Sequence, residues 1–132
     1  MRRATDARRQ TADMNKRPSS VTVIGCLFVI AGAVGFAYHL TEFKAQRPFE
    51  YDVVWVLLVR LLAIIGGVFL IRGSDWARWF LLIWLAYHVI LSAFHSMFEL
   101  ITHGLLLAVT AYFLYRPPVS AYFRNANAPN KD

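Results

Sequence analysis

The chain has 132 residues, room for about one domain, and at 58% hydrophobic and 15% aromatic it is too apolar for a water-soluble domain of this size. Its formal charge of +6 does not make it a nucleic-acid binder, because the basic residues stand at the ends of apolar runs rather than across a polar face. The single cysteine, Cys26, excludes an intrachain disulfide framework and a cysteine-based zinc motif.

Residues 1–17 are polar and basic without periodicity, and are expected to form a disordered cytoplasmic tail. Met14, just ahead of Asn15, Lys16, Arg17 and Pro18, is an alternative translation start. Residues 18–118 are predicted to form the membrane domain, an all-α up-down bundle of four transmembrane helices at about 20–41, 53–72, 76–95 and 99–116. Each run approaches the roughly 20 residues needed to cross about 30 Å of hydrocarbon as helix. Pro18 with Ser19 and Ser20 reads as the entry to the first helix, the serine oxygens being available as caps. A basic start followed by an apolar run is also a signal-peptide pattern, with AGA at 31–33 as a cleavage site, but the run continues to Leu40 and an uncleaved span is the better reading.

The first helix carries Gly25, Ala31, Gly32, Ala33, Gly35 and Ala37, and the second carries Gly66 and Gly67; such small residues let two backbones approach closely in lipid, within one chain or across a homodimer seam. The loop TEFKAQRPFEYD brings Phe49, Tyr51 and Trp55 to headgroup level. In IRGSDWARW, Gly73 ends one helix, Ser74 or Asp75 caps the next, and Trp76 and Trp79 mark the interface. Between Trp76 and Tyr115 there is no proline, so the turn joining the third and fourth helices is short and falls within 96–99. Pro117 and Pro118 stop the fourth helix, and residues 119–132 form an interfacial segment and cytoplasmic tail, with Tyr115 and Tyr122 as further interface anchors.

Eleven basic residues fall on one side of this arrangement: Arg2, Arg3, Arg8, Arg9, Lys16, Arg17, Arg72, Arg78, Arg116, Arg124 and Lys131. Lys44 and Arg47 fall on the other, and Arg60 lies within a span. The positive-inside rule then puts both termini in the cytoplasm of a bacterial inner membrane.

Ionisable residues inside spans are costly and mark functional sites by default. His39, Glu42, Arg60, His88, Ser92, His95, Glu99 and His103 all fall in the outer half, Arg60 roughly 12 Å below the outer start of its helix. His88, Ser92 and His95 share one face of the third helix by their spacing of four and three; Glu99 and His103 are four apart on the fourth, and His39 and Glu42 three apart on the first. Arg60 is expected to pair with Glu99 or Glu42.

This polar cluster admits several chemistries. Imidazole and carboxylate at one-turn spacing fit a divalent metal, although the duplicated Glu-x-x-His signature of carboxylate-histidine bundles is absent. A b-type haem would use two facing histidines, His88 and His103. A proton relay or small-molecule pocket would open outward past Arg60 and the histidines. The simplest account keeps them structural, with His95, Glu99 and Glu42 wet, His39, His88 and His103 hydrogen-bonding across helices, and Arg60 neutralised by a carboxylate; on it no cofactor is expected. No nucleophile stands beside a base, and there is no phosphate-binding loop, dinucleotide fingerprint or serine elbow, so an enzyme is the weakest class.

At RPSSVTVIGCLFVIAGAVGFAYHL, GSDWARWFLLIWLAYHVILSAFHS and AYFLYRPPVSAYFR the chain resembles small four-span bacterial inner-membrane proteins of no assigned activity, over about 17–124. That resemblance implies the architecture and a bacterial source, and no cofactor or catalytic residue. A looser similarity to small four-helix families such as the DoxX-like proteins rests on span count alone. The resulting expectation is an accessory or structural membrane protein, partnered by lipid and by another membrane protein or a second copy of itself. A ligand-, metal- or haem-binding membrane protein is the alternative.

Overall fold

The computed structural model describes residues 5–6, 8–9, 16–45 and 51–129, with 42–45 described by backbone alone. The expected disorder of the first tail, the second start at Met14 and the loop around Pro48 lie largely outside these residues. Five helices follow in chain order: α1 Ser19–Ala45, α2 Tyr51–Ile71, α3 Trp76–Ser92, α4 Met97–Tyr115 and α5 Pro117–Ala126. No strand occurs among the described residues.

Three of the helices hold stretches long and apolar enough to cross a membrane, Ser19–Thr41, Tyr51–Ile71 and Met97–Tyr115. α3 is equally apolar in character but has 17 residues, because it stops at Ser92 rather than continuing to 95. Little of any span is buried within the chain: Val34, Ile83, Leu105 and Tyr112 keep 65%, 66%, 64% and 65% of their surface exposed. In water such a surface would far exceed the apolar patch a soluble monomer tolerates; lipid removes the penalty.

α1 lies along α2 more extensively than any other two helices meet, α3 packs on α2 and on α4, and α4 returns to touch α1. Small residues make the first contact close. A Cβ on Gly32 would stand 2.9 Å from the Arg60 carbonyl oxygen, and one on Gly67 would stand 2.8 Å from that of Gly25. The predicted small-residue surfaces on α1 and α2 therefore face each other inside one chain.

The best-buried part of the molecule is the end where α1 begins, α2 meets α3 and α5 folds back. Val21, Leu70, Leu81, Leu114, Val119 and Phe123 are its fully buried large side chains. α5 contributes Val119 and Phe123, one turn apart on the face it buries. This segment thus serves as a fifth packed helix, where the sequence suggested one lying along the interface. Gly73 has φ of +83°, a left-handed conformation that ends α2, and its carbonyl accepts from the Asn127 side chain at 3.1 Å.

Two local expectations need correction. Asp75 precedes α3 but makes no side-chain cap bond; its carboxylate pairs with Arg78 instead. The turn between α3 and α4 spans 93–96, earlier than 96–99, because Ser96 is the N-cap of α4 and accepts the Glu99 backbone N–H at 3.2 Å. Ser96 and Glu99 have the spacing of a capping box, a legible signal that sequence reasoning passed over.

Candidate functional site

Beneath that turn, at the end opposite α5, α3 and α4 bring three of the expected residues together. His88 and His103 face each other with ring centroids 5.7 Å apart and planes inclined at 38°. The Ser92 hydroxyl donates to the His88 carbonyl oxygen at 2.7 Å and stands 2.8 Å from His103 Nδ1. His103 Nδ1 is also 2.9 Å from the Glu99 carbonyl oxygen, so an Nδ1–H shared between that oxygen and Ser92 Oγ satisfies all three contacts. His88 Nδ1 lies 2.9 Å from the Trp84 carbonyl oxygen and fits the same tautomer. Both imidazoles are thus turned by bonds to the preceding turn of their own helix, and Ser92 ties the helices together.

Trp84 completes the group. Its ring lies over His88 with centroids 3.9 Å apart, and its indole N–H donates 3.0 Å to the Val59 carbonyl oxygen of α2. On the other side it meets Phe28 of α1 edge-on at 5.6 Å. Trp55, expected as an interface anchor, is 54% exposed yet donates its N–H to the Tyr87 hydroxyl at 2.8 Å. Sequence reasoning did not single out Trp84, although it stands one helical turn before His88, where an i, i+4 pair must meet.

The remaining predicted residues separate from this group. His95 lies in the turn beyond α3 and bonds back to the Leu91 carbonyl oxygen at 2.9 Å, so it extends no face of the helix. His39 packs edge-on to Tyr38 at 5.3 Å. Glu99 is exposed at the start of α4 and does not pair with Arg60, while the side chain of Glu42 lies outside the described residues. Arg60 extends from α2 across α1: a Cβ on Gly35 would stand 2.7 Å from its Nε and 2.8 Å from its Cδ.

Among the described residues no group of three or more His, Cys, Asp or Glu side chains is arranged to hold a metal ion. A bis-histidine haem would need its ring plane between His88 and His103, where Ser92 joins α3 directly to α4.

A second polar centre, at the α5 end, was read in the sequence only as a topology signal and a cap. Arg78 is 7% exposed, bonds to the Leu114 carbonyl oxygen at 3.3 Å and Ser120 Oγ at 3.4 Å, and pairs with Asp75. Its guanidinium sits over the rings of Tyr115 and Phe123, 4.9 and 4.7 Å from their centroids. Tyr115 and Tyr122 accordingly pack against the buried cluster, whereas Trp76 and Trp79 keep 48% and 59% of their surface exposed. Comparison with protein-family models, curated proteins and solved structures finds no match.

Proposed function

We propose that this chain is an accessory or structural protein of a bacterial inner membrane, crossing it four times with both termini cytoplasmic and acting as a subunit of a larger membrane assembly. The observation that carries the reading is the pairing of an apolar exterior with polar groups bonded inside the chain: Ser92 and His103 tie α3 to α4, and Trp84 ties α3 to α2. α3 serves as the fourth span, since 17 residues rise about 25 Å, within reach of the hydrocarbon thickness at the short end of the range. The basic residues gathered at the α5 end support the orientation, and the likeness to small four-span inner-membrane proteins supports the setting. The connections between the apolar helices are short, which favours a role through contact with other membrane proteins.

Native electrophoresis and mass spectrometry after gentle solubilisation from the native membrane test the reading. A stable hetero- or homo-oligomer is expected, and a free monomer alone would overturn it. Reporter fusions test the topology: a periplasm-dependent phosphatase should be active in the 93–96 turn and inactive at the C-terminus, and the reverse pattern overturns the orientation.

A further inference from the structure

Arg60 stands about 13 Å along α2 from Tyr51, well within a span, and a charge there persists only where something compensates it. Among the described residues it makes no hydrogen bond and no ion pair. The described carboxylates are engaged or exposed: Asp75 pairs with Arg78 at the α5 end, Asp52 is exposed near the start of α2, Glu99 is exposed at the start of α4, and Asp6 is exposed in the first tail. The space for Arg60 is nevertheless built, because its side chain lies where any residue larger than glycine at position 35 would intrude. On α3, His88 is held in orientation by Trp84, with His103 facing it. The described residues therefore give Arg60 no counter-charge, which disfavours a cation and suits an oxyanion. Glu42, the nearest acidic position on α1, is seven residues from Gly35, about 10 Å along the helix axis.

We infer that Arg60, seated over Gly35, is a binding site for an oxyanion, a phosphate or carboxylate group admitted from the end of the bundle that carries the α3–α4 turn. A guanidinium offers paired N–H donors that match either group, and in a site of low dielectric such a bond is strong. The anion comes from a lipid headgroup or from a small soluble molecule, and both present the same chemistry to Arg60. This inference needs the helices to lie in a bilayer but does not depend on the accessory role.

The test is thermal unfolding and native mass spectrometry of the full chain in neutral detergent. The probes are inorganic phosphate, succinate, phosphatidylglycerol and, as control, phosphatidylcholine. At least one anionic probe is expected to stabilise the protein, and Arg60→Gln should weaken that binding at least tenfold while Arg60→Lys retains part of it. Gly35→Ala keeps the charge but displaces it and should weaken binding severalfold, which decides the matter if Arg60→Gln fails to fold. A response to phosphate or succinate identifies a soluble anion, and a response to phosphatidylglycerol alone identifies a headgroup. Equal binding by wild type and both variants would overturn the site, as would the absence of any anionic effect on wild type. Binding that appears only in Glu42→Gln would show that the chain's own carboxylate fills the site, and would overturn it too.

Discussion

The two ends of the molecule handle buried polarity differently. At the α5 end Arg78 is enclosed by aromatic rings, a carboxylate, a carbonyl and a hydroxyl, all brought there because the chain folds back a fifth helix. At the other end none of the described residues returns over the α3–α4 turn, and Phe94, Met97 and Phe98 stand 84%, 73% and 80% exposed. Polar groups there are held mainly by their own helices and by one bond from Ser92. Enclosure by α5, rather than the number of polar residues, is what separates a structural centre from an accessible one.

That contrast breaks most readily at Phe123. Removing its ring leaves a cavity among fully buried side chains and takes away one face of the Arg78 cage, so Phe123→Ala should cost about 3–5 kcal/mol. Phe98→Ala, at the exposed turn, should leave stability within about 0.5 kcal/mol of wild type. Unfolding of both in the same detergent checks this, and equal losses would show that α5 does not consolidate the bundle.

The two arginines sharpen the comparison further. Arg78→Gln gives up its bonds to Leu114, Ser120 and the partly exposed Asp75, an expected loss of about 2–3 kcal/mol. Arg60→Gln removes a charge with no partner among the described residues and should be neutral or stabilising without an anion present. A destabilisation by Arg60→Gln as large as that by Arg78→Gln would mean that both charges are structural. Gly73→Ala comes next, at about 1–2 kcal/mol, since alanine resists a φ of +83° and its Cβ would stand 2.9 Å from the Tyr122 hydroxyl. Substitution by asparagine, which tolerates that conformation better, should recover part of the loss in the same unfolding assay.

The apolar helices were legible because composition and run length report directly on them, and Gly73 because few other residues end a helix that way. The meeting of His88 with His103 was legible from depth, since they stand five residues before and seven residues after the 93–96 turn. The enclosure of Arg78 was not, since a basic residue flanked by tryptophans has the same local pattern whether it faces lipid headgroups or the underside of α5. Of the two partners expected for Arg60, Glu42 lies outside the described side chains and Glu99 does not serve: helix faces predict which residues share a side of one helix, but not the rotation of α4 that leaves Glu99 outward. Nor does the pattern of small residues say that Gly35 accommodates a side chain while Gly32 and Gly67 accommodate backbone.

The smallest expected effect concerns the bond between two side chains of α3 and α4, from His103 Nδ1 to Ser92 Oγ at 2.8 Å. Ser92→Ala removes both that acceptor and the hydroxyl bond to the His88 carbonyl, yet leaves no donor stranded, because the His103 Nδ1–H keeps the Glu99 carbonyl oxygen at 2.9 Å. Side-chain hydrogen bonds between helices in lipid average about 0.6 kcal/mol, and with the alternative acceptor in place the loss should not exceed about 1 kcal/mol. A double-mutant cycle with His103→Phe isolates the contact. Coupling near 0.6 kcal/mol would make Ser92 a tie across this end of the bundle. Coupling indistinguishable from zero would mean that each imidazole is positioned by its own helix alone, and that the end without α5 is held by apolar packing rather than by its polar cluster.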